Sequence, residues 1–267
     1  MPKIYRESVG INYEVEGHGP VVMAISGLMS TLATSQFRLV PGLPDGFRLV
    51  YGEHRGAGNS DVPPGPYDID QIADDWIAIM DAEDIERAPV LGNSMGSLIA
   101  QSMALRYPER VSLLVLSVPI GRADPFLIEL TQHWLQTLIS QGEKVFALQS
   151  LLWTLSTEGF NHLAPSVLPS LEKNLPIIDP AGFAGQIAAI ASFDRRDELP
   201  KIRVPTLIIA AAEDRVCHPY HAGELASLIP NSRLVVIGQS GHLVQTEQPL
   251  EYARVLLPFL KTGQHEI

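Results

Sequence analysis

The chain has 267 residues, of which 46% are hydrophobic and 18% are charged, and this composition excludes a disordered chain. Its length allows one large domain with an insertion or two small domains. The net charge of −11 argues against nucleic acid as a partner, because binding along a phosphate backbone needs clustered Lys and Arg. The single cysteine, Cys217, rules out an internal disulfide or a multi-cysteine metal site.

The sequence gives no sign of a membrane segment. The apolar stretches at 111–118 and 204–212 are much shorter than the ~18 residues that a spanning helix needs. The opening MPKIYRESVG is charged from position 3 and is not followed by an apolar run. We therefore expect no signal peptide, no membrane partner and a cytoplasmic location.

Short runs rich in Val, Ile and Leu alternate with longer helical patterns. An N-terminal hairpin is predicted at Ile4–Glu7 and Ile11–Glu16. Most later runs lack polar alternation, as expected for parallel strands that are covered on both faces: Val21–Ser26, Phe47–Gly52, Pro89–Gly92, Val111–Ser117, Val204–Ala211 and Arg233–Ile237. Helical patterns lie at 68–83, 97–107, 220–229 and 248–261. This alternation predicts the α/β class.

Acidic residues are concentrated in the first of these helical patterns and just after it, between Asp68 and Glu86. Because apolar residues recur at helical spacing in the same segment, the acidic side chains are interpreted as a solvated helix face and not as a metal site.

One long segment has no convincing core strand. Between Ser117 and Val204, helical patterns occupy Phe126–Leu138, Glu143–Leu155 and Ala181–Phe193, with breaks predicted at Pro165, Pro169, Pro176 and Pro180. A structureless loop of this length would be unusual. The sequence therefore predicts a helical cap at 121–199, inserted into a core domain formed by 1–120 and 200–267.

The most informative motif is Gly92-Asn93-Ser94-Met95-Gly96, which follows an apolar strand and precedes a helical pattern. In this context G-x-S-x-G forms a nucleophile elbow. A serine in a strained turn with positive φ brings the residues two before and two after it so close together that neither tolerates a Cβ. Ser94 is the predicted nucleophile.

A serine hydroxyl needs a base, and the base needs an orienting acid. Asp214 follows the run that ends at Ala211, and His242 lies on a small-residue loop after the next strand. The order Ser94, Asp214, His242 matches one of the known triad orders. Glu213 and Asp124 are weaker candidates for the acid.

Two backbone N–H groups must hold the oxyanion of the tetrahedral intermediate. The first is predicted at Met95, directly after the nucleophile, and the second at Leu28, in the loop after the Val21–Ser26 run. No cofactor and no metal are predicted: His218 and His221 are interpreted as helix-entry residues, and 55–58 lacks the G-x-G-x-x-G spacing of dinucleotide sites.

These residues resemble the α/β-hydrolase fold superfamily, and within it lid-bearing serine hydrolases such as 3-oxoadipate enol-lactonases, carboxylesterases and cofactor-free haloperoxidase-like enzymes. Besides the elbow, the resemblance rests on Gly17–Pro20, Arg55–Asp61, Ile202–Leu207, Ser240–His242 and Glu247–Pro249. It implies a mostly parallel central sheet flanked by helices, with the inserted cap. Two positions depart from the family pattern: Ser26 replaces the usual His of the oxyanion loop, and Ala211 stands where Gly is common.

We therefore expect a serine hydrolase that cleaves a carboxylic ester or lactone of a small, largely apolar molecule. Candidate substrate contacts are Met29, Leu243, Trp134 and Trp153. C–C bond or thioester hydrolysis by the same triad is an alternative, as is a small-molecule receptor of this fold with slow or no turnover. The sequence does not specify an oligomeric state.

Overall fold

In the computed structural model, which describes residues 2–171 and 178–264, eight strands form one sheet. In chain order they are β1 (Lys3–Arg6), β2 (Val9–Glu16), β3 (Val21–Ile25), β4 (Arg48–Gly52), β5 (Ala88–Asn93), β6 (Val111–Ser117), β7 (Thr206–Ala211) and β8 (Ser232–Ile237). Their order across the sheet is β1-β2-β4-β3-β5-β6-β7-β8. Only the pairs that involve β2 are antiparallel. The predicted hairpin and mostly parallel sheet are confirmed.

Helices connect the strands and cover the sheet. The α-helices in the described residues are α1 (Leu43–Gly46), α2 (Ile69–Ala82), α3 (Met95–Arg106), α4 (Pro125–Gln141), α5 (Glu143–Thr154), α6 (Thr157–Leu171), α7 (Pro180–Ser192), α8 (Pro219–Leu228), α9 (Val244–Glu247) and α10 (Pro249–Thr262). The helices predicted in the core domain correspond to α2, α3, α8 and α10, with ends that differ by one or two residues.

Alternate side chains of each central strand enter separate cores on the two faces of the sheet. Met23 and Ile25 of β3 pack on the face covered by α2, α3 and α8, whereas Val22 and Ala24 pack on the face covered by α10. Strands covered on both faces need apolar residues at every position, which is why the sequence lacks polar alternation.

The strand before the elbow contains a local irregularity. The pairing of β5 with β6 shifts register between Ala88 and Val90, at the position of Pro89. Since proline has no N–H to donate to the neighbouring strand, a bulge is the place where a central strand can accept it.

Four helices, α4 to α7, lie between β6 and β7 in the described part of 121–199. An isolated bridge between Arg122 and Asp194 joins the two ends of this segment, which supports the proposed cap boundaries. The prediction of helix breaks at Pro165 and Pro169 is wrong, because both lie inside α6. Both prolines are exposed, so water can hydrate the backbone carbonyls that lose their helical partners. Pro180 begins α7, and Pro176 lies outside the described residues.

The acidic helix α2 is not simply a solvated face. Asp75 is 1% exposed and accepts two hydrogen bonds of 2.7 Å from the equally buried Arg55. Asp74 pairs with Arg6 and Arg106 on the same side of α2. The spacing of apolar residues could not reveal these contacts, since the arginines come from distant parts of the chain.

Candidate active site

Ser94 occupies a strained turn between β5 and α3. Its φ of 55° and ψ of −122° lie outside the regions that side chains normally favour. The turn is held by two hydrogen bonds: the Ser94 N–H donates to the Ser117 carbonyl at 2.9 Å, and the Ser97 N–H donates to the Ser94 carbonyl at 2.8 Å. The hydroxyl thus stands at the carboxyl end of the central strand.

Both glycines of the motif are required by close contacts. A Cβ on Gly92 would overlap the carbonyl of Gly96, and a Cβ on Gly96 would overlap the carbonyl oxygen of Ile25 on β3. The G-x-S-x-G spacing is therefore steric in origin, as the sequence analysis predicts.

Asp214, His242 and Ser94 form a continuous line of hydrogen bonds. Nδ1 of His242 lies 2.8 Å from Oδ2 of Asp214, and Nε2 lies 2.9 Å from Oγ of Ser94. Asp214 is 2% exposed and His242 is 6% exposed. With a proton on Nδ1, the imidazole donates to the carboxylate and accepts from the serine hydroxyl, which is the arrangement that a general base requires.

The chain directly after Asp214 fixes its carboxylate. Its second oxygen, Oδ1, accepts hydrogen bonds of 2.8 Å from the backbone N–H groups of Val216 and Cys217. The rival acids are elsewhere: Glu213 is exposed, and Asp124 caps α4 by accepting from the Leu127 N–H.

Two opposing effects set the basicity of His242. Burial, the largest single effect, lowers the pKa of His242, whereas the negative charge of Asp214 and its hydrogen bond to the ring raise it. The net pKa lies well above the ordinary value for histidine. Burial raises the pKa of the neighbouring Cys217 thiol, so this side chain is neutral.

The loop after β3 approaches the serine. A Cβ on Gly27 would lie 3.1 Å from Cβ of Ser94, a tighter contact than most Cβ atoms make, so glycine suits this close approach. The N–H groups of Leu28 and Met95, which follow Gly27 and Ser94, donate to no protein atom in residues 2–171 and 178–264. Both residues line the cavity above Ser94.

His54 holds the same loop through a hydrogen bond to the Ser26 carbonyl. Trp76 Nε1 donates to His54 Nδ1 at 3.2 Å, so the ring proton is on Nε2, which donates to the Ser26 carbonyl at 3.0 Å. Burial lowers the pKa of His54 to about 4. Ser26 thus occupies the position where the family usually has a histidine, and its backbone carbonyl accepts a hydrogen bond from a different histidine, His54.

A cavity of about 240 Å³ lies between Ser94 and the cap helices. Three of the candidate substrate contacts, Met29, Leu243 and Trp134, line it. Trp153 does not line it, because its ring packs against Phe126 with the centroids 5.8 Å apart. The described lining residues include no Lys, Arg, Asp or Glu.

Several cavity residues are not among the predicted site residues. The walls include cap residues such as Phe146 and Phe183 together with Thr131 and Ser150. The spacing of apolar residues predicts that they lie on the buried face of a helix. It does not predict which of them line the cavity, because that depends on how α4 to α7 pack.

Comparison with known proteins identifies the architecture. A family model described as the α/β hydrolase fold matches residues 20–249. The chain belongs to the α/β-hydrolase family. It is an α/β-hydrolase enzyme, and its sheet order and flanking helices are those of the fold.

Relatives of this α/β-hydrolase have named activities. A 3-oxoadipate enol-lactonase of Acinetobacter baylyi is 29% identical over 260 residues, which cover 96% of this chain and 94% of that protein. The structure of an enol-lactonase from Burkholderia xenovorans has a TM-score of 0.88 at 26% identity and covers 97% and 100% of the two chains. A thermophilic esterase from Thermogutta terrifontis has a TM-score of 0.85 at 25% identity, with 99% of each chain covered. No helix in the described ranges of this α/β-hydrolase is long and apolar enough to cross a membrane.

Proposed function

We propose that this chain hydrolyses carboxylic esters or lactones of small, largely apolar molecules through an acyl-enzyme on Ser94. One observation carries the proposal: the hydrogen bonds of 2.8 Å and 2.9 Å that link Asp214, His242 and Ser94 end at the wall of a mostly apolar cavity.

Acylation follows from this geometry. Ser94 Oγ forms a bond to the carbonyl carbon while Nε2 of His242 takes the hydroxyl proton. Asp214 keeps the imidazole in the reactive tautomer and stabilises its charged form. The backbone N–H groups of Leu28 and Met95 are the proposed donors to the oxyanion, since both are free and border the cavity.

Collapse of the tetrahedral intermediate breaks the bond to the leaving oxygen, which receives the proton from His242. In an ester the alcohol departs, whereas in a lactone it stays attached to the acyl group. Water then attacks the acyl-enzyme with His242 again as base, and the products are a carboxylic acid and free Ser94.

Substrate class is inferred from the cavity and from the relatives. A volume of about 240 Å³ fits a small molecule, and the absence of Lys and Arg from the described lining residues favours an uncharged acyl group. Relatives named enol-lactonase and esterase support the ester or lactone bond.

The nucleophile is tested by covalent labelling. Folded protein is treated with a fluorophosphonate, and we expect one modification on Ser94 that is abolished in Ser94→Ala. Ser97→Ala is the matched control, because Ser97 is buried beside the elbow but its hydroxyl has no partner in the triad. Labelling that persists in Ser94→Ala would overturn the assignment.

Substrate chemistry is tested by measuring turnover of aryl esters, lactones, acyl thioesters and vinylogous diketones side by side. We expect the highest kcat/KM on an ester or a lactone. A preference for thioesters or diketones would support those alternative reactions, and tight ligand binding without turnover of any class would support a receptor.

A further inference from the structure

The turn that carries the Leu28 N–H has a backbone conformation that needs support. The Ser30 N–H donates to the Gly27 carbonyl at 3.3 Å, which closes a four-residue turn. Met29, its third residue, has a φ of 55°. This position with positive φ is normally taken by Gly or Asn, so a Met here is strained.

A cap residue supplies the support. Oε1 of Gln186, on α7, accepts a hydrogen bond of 2.9 Å from the Met29 N–H, and its Nε2 donates to the Arg55 carbonyl at 2.9 Å. Because the backbone N–H can only donate and the carbonyl can only accept, these two partners fix the orientation of the amide. The Gln186 side chain is fully buried.

The part of α7 that carries Gln186 is packed tightly against the core domain. A Cβ on Gly182 would overlap the carbonyl of Gly56, and a Cβ on Gly185 would lie 2.6 Å from the ring of Tyr67. The Tyr67 N–H also donates to the Gly185 carbonyl at 3.4 Å. These contacts leave Gln186 little freedom to move.

We propose that Gln186 is a positioning residue, through which the cap holds the oxyanion loop in its catalytic conformation. The loop is fixed at the Ser26 carbonyl by His54 and at the Met29 N–H by Gln186. The free Leu28 N–H lies between these two anchors. Without Gln186 the strained Met29 backbone relaxes, and the Leu28 N–H moves away from the oxyanion. This inference rests on the proposed serine-hydrolase mechanism.

The first test is Gln186→Met, which keeps the side-chain volume and removes both hydrogen bonds. Removing one oxyanion donor lowers kcat about 10²–10³-fold. Displacing the donor should have a smaller effect and lower kcat about 10- to 100-fold, with little change in KM. Gln101→Met is the matched control, because Gln101 is also fully buried and its amide also donates to backbone carbonyls, those of Ser97 and Ile120. It should lower the Tm without a comparable loss of kcat.

The second test is Gln186→Glu, which separates positioning from packing. A protonated Glu accepts from the Met29 N–H and donates to the Arg55 carbonyl as Gln does, whereas a carboxylate cannot donate. The ratio of kcat for Gln186→Glu to kcat for the native enzyme should therefore rise as the pH falls.

The outcomes distinguish the two proposals. Native kcat in Gln186→Met, or a ratio for Gln186→Glu that does not change with pH, would overturn the positioning role. Failure of the native protein to react with the fluorophosphonate at Ser94 would instead overturn the proposed hydrolase mechanism.

Discussion

Nδ1 of His242 and Oδ2 of Asp214 are 2.8 Å apart in a buried environment, and this contact controls the basicity of the imidazole. Burial lowers the pKa of His242, the Asp214 carboxylate raises it, and the net pKa is raised. His242 must be neutral to accept the Ser94 proton. We predict that kcat/KM for a neutral ester rises with pH along a limb centred above about 6.5.

The Asp214→Asn variant tests the cause of that limb. Without the carboxylate, burial dominates and the limb should move to lower pH, while kcat falls by about 10⁴-fold because the tautomer is no longer held. Glu213→Gln is the control: it alters the adjacent, exposed carboxylate and should leave the profile unchanged. A limb that does not move in Asp214→Asn would show that another group titrates.

A methyl group at Gly96 should disrupt the elbow. Its Cβ would overlap the Ile25 carbonyl on β3, which cannot move without breaking the sheet. We predict that Gly96→Ala lowers the free energy of unfolding by at least ~2 kcal/mol and slows fluorophosphonate labelling. Gly223→Ala is the control, since a Cβ there meets no atom within 4 Å and the helix α8 favours Ala. Native stability and labelling in Gly96→Ala would contradict the steric account.

The elbow, the proximity of Ser94, Asp214 and His242, and the sheet could be predicted because their signals are local. The requirement for Gly92 and Gly96 arises from contacts within one turn and with the adjacent strand β3, and Asp214 and His242 each follow a recognisable apolar strand. Parallel strands then bring their carboxyl ends to one edge of the sheet, so chain order alone predicts that the three side chains are close.

Contacts between distant segments could not be predicted. Gln186 is 157 residues from Met29, and no spacing rule links a cap glutamine to the oxyanion loop. The cavity walls likewise depend on how four helices pack. The predicted breaks at Pro165 and Pro169 are wrong for a different reason: proline lowers helix propensity, but in an exposed helix water can hydrate the carbonyls that proline leaves without a partner.

Because His54 is buried in its neutral form, acid should lower the free energy of unfolding. Burial lowers its pKa from 6.5 in the unfolded chain to about 4 in the fold. Between these two pKa values the unfolded state binds more protons than the folded state. The contribution of neutral His54 to the free energy of unfolding is therefore fully present at higher pH and is lost as the pH falls. We predict a loss of up to about 3 kcal/mol in the free energy of unfolding from this residue.

Urea unfolding of His54→Asn between pH 4 and 7 measures this contribution. The variant should be less stable than the native protein at neutral pH, and this difference should shrink on acidification. His162→Asn, at an exposed position on α6, should follow the native pH dependence. A difference between native protein and His54→Asn that is constant with pH would rule out the proposed linkage.

The charge of the acyl group should affect turnover strongly. The described cavity-lining residues include no Lys or Arg that could pair with an anion, and the net charge of −11 repels anions. We predict that kcat/KM for a butyrate ester exceeds that for the matched hemisuccinate ester by at least ~10-fold. The two substrates share a leaving group and a four-carbon acyl chain, so equal rates would contradict a preference for uncharged acyl groups.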